Sequence, residues 1–196
     1  MCNKRLKISE KLLYNVLAVV VAVFWAVLVC FFSVNCISRK YFYPLSYKEI
    51  ICKYADEYRL DRELVFSVVK VESGFDKNAV SSAGAMGLMQ ITEKTGAYIA
   101  ERLCVTKYDL FDAENNLRFG CYYLRYLISR FEVLETALCA YNAGEGRVDE
   151  WLDDTAYSSD GKTLNLIPFK ETQEYIVKIK KTFSKYKKLY GNILDK

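Results

Sequence analysis

Between Val16 and Val34 the chain runs for nineteen residues without a charge. A helix of about 20 apolar residues is what crosses the hydrocarbon core of a bilayer. A core helix of a globular protein is usually shorter and keeps one polar face, so the run predicts a transmembrane helix over residues 12–38. Lys4, Arg5, Lys7 and Lys11 precede it against a single acid, Glu10. That basic excess predicts a cytoplasmic N-terminus, residues 1–11, with the chain outside from about residue 40. Arg39 and Lys40 pull the other way, two against four. A cleaved signal peptide has an apolar region of about 7–15 residues and a small-x-small site. This run is longer and ends Ser33-Val34-Asn35-Cys36, with no small residue before Cys36 to suit lipid attachment. The expectation is an uncleaved, single-pass anchor in the cell membrane.

After a linker at 39–45, residues 46–190 suffice for one domain, followed by a tail at 191–196. The chain has no histidine. This excludes a Ser-His-Asp or Cys-His nucleophile pair, an HExxH zinc site and a His-ligated haem. Acid–base work near neutral pH falls to Asp, Glu, Cys, Lys or Tyr with a displaced pKa. Net charge is +4, and the first 38 residues contribute +3 of it through the residues just named. The remainder is close to neutral in sum, and no nucleic-acid partner is expected. With 52% hydrophobic residues and only 2 Pro, the composition is that of a folded, helix-rich chain. The seven cysteines (Cys2, Cys30, Cys36, Cys52, Cys104, Cys121 and Cys139) contain no CxxC. An outside domain permits disulfides, but these spacings form no framework, and Cys121 and Cys139 fall in apolar helical patterns. Unpaired core thiols are expected.

The outer domain reads as helical almost throughout. Tyr47–Tyr58 carries Ile50, Ile51, Tyr54 and Ala55 on one face. Asp61 looks like the N-cap of a helix over Arg62–Glu72, with Gly74 as a left-handed stop. Phe75–Gln90 is a loop of small residues. Thr92 caps a helix to about Leu103, and Asp112 starts a longer one. Glu132–Ala140 is a short helix broken by Ala143-Gly144-Glu145-Gly146, and Val148 and Trp151 mark another. Asp153–Asn165 is a polar loop, and Pro168 starts a last helix to about Tyr190. The lysines of that helix, Lys178 to Lys188, read as a solvated side in preference to a site for anionic wall polymer or lipid.

Glu72 stands out. It follows Val65, Val68 and Val69 by seven, four and three positions, so it projects from the apolar face. Partial burial and the negative end of the helix dipole both raise a carboxyl pKa, which suits a general acid. The competing reading is a glutamate turned outward at a frayed helix end. Gly84 and Gly87 in the loop beyond it allow close backbone approach, but no phosphate-binding pattern is present. Gln90 is a polar residue among apolar ones, which suggests a hydrogen-bonding role.

Four motifs occur in order: Glu72-Ser73-Gly74-Phe75; Ala79-Val80-Ser81 with Gly84-Ala85-Met86-Gly87-Leu88-Met89-Gln90; Ala140-Tyr141-Asn142-Ala143-Gly144; and Ile167-Pro168-Phe169-Lys170-Glu171-Thr172-Gln173-Glu174-Tyr175-Ile176. Between them Leu110-Phe111-Asp112, Asn115-Asn116-Leu117, Gly120 and Tyr123-Leu124 continue the likeness. Together, over about residues 46–185, they resemble the soluble lytic transglycosylase family. The resemblance implies an all-α, lysozyme-like catalytic domain of the goose-type lysozyme kind, following the transmembrane helix. It implies peptidoglycan glycan strands as substrate and neither metal nor cofactor.

It implies Glu72 as sole catalytic acid–base, and Ser73 and Ser81 near the substrate and the catalytic centre. Met89 and Gln90 then line the sugar cleft, Tyr141 faces the carboxyl, Asn142 holds that turn, and Glu171 and Tyr175 lie at the far wall. Glu72 would protonate the β-1,4 glycosidic oxygen between N-acetylmuramic acid and N-acetylglucosamine, then deprotonate the muramic C6 hydroxyl to give a 1,6-anhydro product. Lys77, Ser82, Glu93 and Ala113 stand where the family often has proline, which should affect rigidity more than chemistry. Two alternatives remain: a muramidase that hydrolyses the same bond with water, and an inactive membrane-tethered wall-binding scaffold.

Overall fold

The computed structural model describes residues 2–37 and 41–194 and divides into two units, Met1–Pro44 and Leu45–Lys196. The first unit holds α1 (Cys2–Ile37). Within Lys11–Val34 an 18-residue stretch has a mean hydropathy of 2.9, and none of its residues is buried. Ser38, Arg39 and Lys40 lie outside the described residues.

The second unit holds α2 (Lys48–Glu57), α3 (Arg62–Glu72), α4 (Glu93–Arg102), α5 (Ala113–Phe131), α6 (Leu134–Ala143), α7 (Glu145–Asp153) and α8 (Lys170–Leu194). Among the described residues there is no strand, only isolated bridges between Val80 and Met86 and between Met86 and Ile91. The all-α expectation therefore holds.

Helix α3 is the centre. Seven successive residues, Glu63 to Val69, are buried, which requires neighbours on every side. Helix α8 supplies the longest of these contacts, with Tyr186 tilted on Phe66 at 5.5 Å between ring centroids. Helices α5 and α6 pack on each other, with α4 against α5 and α7 against α6. The helix starts are set locally. Asp61 accepts from the Glu63 N–H (3.1 Å), Thr92 from Thr95 (3.2 Å) and Asp112 from Asn115 (2.9 Å). Gly74 is left-handed at φ 61°, as expected of its place after α3.

Two helices differ from the sequence expectation. Helix α6 covers Leu134–Ala143 instead of 132–140. Glu132 at φ 59° ends α5, and α6 then runs unbroken until Gly144 at φ 92°. Helix α8 starts at Lys170, since the Phe169 carbonyl accepts from Gln173 N–H (3.0 Å) while the Phe169 ring stacks edge-on against Trp151. It continues past Tyr190 to Leu194, which is fully buried and whose carbonyl takes a hydrogen bond from Arg62. Cys30, Cys52, Cys104, Cys121 and Cys139 are unpaired thiols, and burial pushes Cys139 up to about 12.

Candidate active site

Glu72 is the last residue of α3. Its backbone leaves the helix through Ser73, Gly74 and Phe75, the last two with positive φ. The Ser73 hydroxyl donates to the Leu88 carbonyl (2.8 Å) and accepts from the Phe75 N–H (3.2 Å). Ser73 thus ties the helix end to the loop over residues 76–90.

That loop is held by backbone pairing and by two amide side chains. Ser81 closes its tip, donating its N–H to the Ala85 carbonyl (2.9 Å) and accepting the Ala85 N–H on its hydroxyl (3.0 Å). Gln90, at φ 51°, donates its amide to the Ala79 and Gly87 carbonyls (3.1 and 2.9 Å). Asn116, on α5 and fully buried, makes three bonds. Its amide donates to the Met86 and Leu110 carbonyls (2.9 and 2.8 Å), and its oxygen accepts from Met89 N–H (2.7 Å). A Cβ on Gly87, itself at φ 76°, would land on the Asn116 amide and the Leu110 carbonyl, so only glycine fits there.

Met89, expected to line the cleft, is fully buried, so its side chain offers no surface to a ligand. Its carbonyl accepts the Tyr141 hydroxyl at 2.8 Å. Its thioether fills the space over Gly120, where an added Cβ would collide with Sδ and Cβ of Met89. Gly120→Ala is expected to cost about 1–3 kcal/mol through overpacking, read as a lower midpoint of chemical denaturation.

Three groups converge on the Glu72 carboxyl. Burial raises its pKa to about 7, opposed by the Tyr175 hydroxyl and reinforced by the negative charge of Glu171. Tyr175 is buried in α8, its hydroxyl makes no hydrogen bond of ordinary geometry among the described residues, and burial followed by the Glu72 charge raises its pKa well above the ordinary phenol value. Tyr141 also senses Glu72, and burial followed by that charge raises its pKa well above the ordinary phenol value. Glu171 is exposed in the first turn of α8. Asn142 accepts from the buried Thr172 hydroxyl at 2.8 Å and so fastens α6 to α8, the two helices that carry the tyrosines.

Beside this centre lies a cleft of about 460 Å³ lined by Gln90, Thr92, Tyr98, Tyr123, Tyr141 and Glu145, among others. Glu72 itself does not line it, and Tyr141 is the side chain common to both. Ser81 bonds only within its own turn and joins neither group. The sequence reading missed Asn116 as a site element. Its signal was available: Asn116 shares a helix face with Phe119, Gly120 and Tyr123 at three, four and seven residues, and a polar side chain there needs partners. Among the described residues no group of three His, Cys, Asp or Glu is placed to hold a metal ion.

The family profile called Transglycosylase SLT domain matches residues 49–164. The soluble lytic murein transglycosylase of Escherichia coli is 31% identical over 142 residues, which is 68% of this chain and 22% of that protein. The membrane-bound lytic murein transglycosylase F of Desulfosudis oleivorans is 38% identical over 109 residues, 52% of this chain and 23% of the relative. The crystal structure of an inactive mutant of the lytic transglycosylase Slt from Pseudomonas aeruginosa superposes with a TM-score of 0.65 at 28% identity, over 74% of this chain and 24% of that one. The chain spans about a quarter of the length of these relatives or less. With its profile match over more than half its length and its lysozyme-like, all-helical fold, the chain belongs to the transglycosylase SLT domain family.

Proposed function

We propose that this chain is a membrane-anchored peptidoglycan lytic transglycosylase in which Glu72 is the single acid–base. The observation that carries this reading is the half-buried Glu72 carboxyl, whose pKa of about 7 leaves it substantially protonated near neutral pH. A protonated Glu72 gives its proton to the glycosidic oxygen between N-acetylmuramic acid and N-acetylglucosamine, and the C1–O bond breaks. The carboxylate so formed accepts the proton of the muramic C6 hydroxyl, whose oxygen bonds to C1. No water enters and Glu72 returns to its starting state. One carboxyl with a pKa close to the working pH serves both directions of transfer. Soluble and membrane-bound lytic murein transglycosylases among the relatives support the reaction class, and a structural relative is inactive as a Glu-to-Gln mutant.

In the same reading residues 12–38 anchor the chain with residues 1–11 cytoplasmic. Residues 39–45 link to a catalytic domain over 46–190 outside, and 191–196 come after it. Substrate lies along the cleft of Tyr98, Tyr123 and Tyr141, whose ring faces suit sugar surfaces.

The pH profile tests the acid role. Because the reaction starts from protonated Glu72, kcat/KM is expected to fall as pH rises through about 7, roughly tenfold per unit beyond it. The Tyr175 hydroxyl favours the charged carboxyl, so Tyr175→Phe is expected to move that limb to higher pH. A profile flat from pH 6 to 9, or a limb that moves down in Tyr175→Phe, contradicts the assignment.

Stability carries the same signature. Folded Glu72 holds its proton to about pH 7, whereas an ordinary carboxyl releases it near 4.5. Between those values the folded state binds more protons, so stability falls as pH rises through that window. Glu72→Gln removes this penalty. It is expected to stabilise the domain by about 3 kcal/mol at pH 8 and by little at pH 4, measured by denaturation at both.

One observation favours a second reading. The Glu171 charge reaches Glu72, and a second carboxylate is what a hydrolase uses to activate water. In that case Glu171→Gln abolishes cleavage. In the transglycosylase reading it lowers the Glu72 pKa and leaves cleavage in place.

A further inference from the structure

The near-neutral sum of the outer domain hides a strong segregation of charge. Residues 41–174 hold fifteen basic and twenty-two acidic residues, net −7. Residues 175–194, the greater part of α8, hold six lysines and no acid. Two of the six are used inside the fold, Lys180 on Glu135 (2.6 Å) and Lys187 on Asp61 (3.0 Å). The other four, Lys178, Lys181, Lys185 and Lys188, are exposed and form no ion pair among the described residues. Their spacing of three, four and three sets them in one row on the helix face opposite Ile179, Tyr186 and Tyr190. Along α8 the row is about 15 Å long. Val177, 65% exposed, sits beside it.

We propose that this row docks the domain on an anionic phospholipid surface, the outer face of the membrane in which α1 is anchored. The inference rests on the anchor in the proposed function. Residues 38–44, between the end of α1 and the second unit, span at most about 25 Å even when fully extended. The bilayer is therefore always within reach, and the tether turns a weak surface attraction into an intramolecular one. A straight row of ammonium groups on one helix meets a plane of headgroup phosphates all at once. Basic residues near such a surface are attracted within a Debye length, about 10 Å at ordinary salt. The net −7 of the remaining residues is repelled by the same surface, so the two charges act together to orient the domain. Glu171 and Tyr175 lie in the first turns of the same helix, ahead of the row, so docking leaves them clear of the lysines that bind.

The test uses the full chain in lipid nanodiscs of phosphatidylcholine alone or with phosphatidylglycerol as about a third of the lipid. An amine-reactive reagent labels the lysines, and mass spectrometry reads each one. In the anionic discs labelling of Lys178, Lys181, Lys185 and Lys188 is expected to slow about fivefold relative to the exposed Lys77 and Lys107. The protection is expected to vanish in high salt and in phosphatidylcholine discs. A third arm adds soluble poly(glycerol phosphate) to the phosphatidylcholine discs as a stand-in for wall polymer. Equal labelling of the four lysines in both kinds of disc overturns the proposal, and protection by the polymer alone reassigns the row to a wall polyanion. Co-elution of chain and disc is scored separately. A chain that does not enter the discs contradicts the anchor, and with it the inference; one that enters without protection contradicts the docking surface only.

Discussion

Glu72→Gln is expected to lower the release of soluble fragments from purified peptidoglycan by at least about a thousandfold. A positioned general acid–base contributes about 10²–10⁴ to a rate. Here one carboxyl is asked to act twice in a turnover, and the amide can neither give nor take that proton. The substitution keeps the shape of the side chain, so packing at the end of α3 is preserved. Loss of activity in a variant that is more stable than the parent at pH 8 separates chemistry from unfolding. Residual activity within tenfold of the parent means that another group supplies the proton.

The second large effect falls on a residue that touches no substrate. Asn116→Ala is expected to destabilise the domain by about 3–5 kcal/mol, because it strands the Met89 N–H and the Met86 and Leu110 carbonyls in a dry interior. Chemical denaturation reads it as a lower midpoint with an unchanged slope. Asn116→Asp separates hydrogen bonding from cavity formation. It keeps the volume and the bond from Met89, yet faces two carbonyls with a carboxylate, and it is expected to be at least as damaging as alanine. Both variants also lower activity, since the Met89 carbonyl that holds Tyr141 hangs from Asn116. A loss below about 1 kcal/mol in both variants removes Asn116 from the account.

Legibility in the chain tracks the range of the interaction. Asp61, Thr92 and Asp112 cap their helices through partners two or three residues away, and such partners are visible as sequence spacing. Glu72 was legible because three valines on the same helix define the buried face. Asn116 was legible only as a polar residue on a buried helix face, since its partners Leu110, Met89 and Met86 lie six to thirty residues away in two segments whose paths are set by tertiary packing. Proline misled at Pro168, where the Phe169 stack on Trp151 delays the helix. The last helix was expected to end near Tyr190, but burial of Leu194 carries α8 on to that residue. The convergence of Tyr141, Tyr175 and Glu171 on Glu72 joins three elements distant in sequence, and the family motifs marked those residues without their geometry. The row of lysines was hidden by summing charge over a domain in which helix and remainder have opposite sign.

The most direct test of the central claim is the mass of the muropeptides released from purified sacculi by the parent chain. Lytic transglycosylation by a single acid–base gives products ending in 1,6-anhydro-N-acetylmuramic acid, absent when Glu72→Gln replaces the parent. Products heavier by one water, with reducing ends, contradict it and assign the site to hydrolysis.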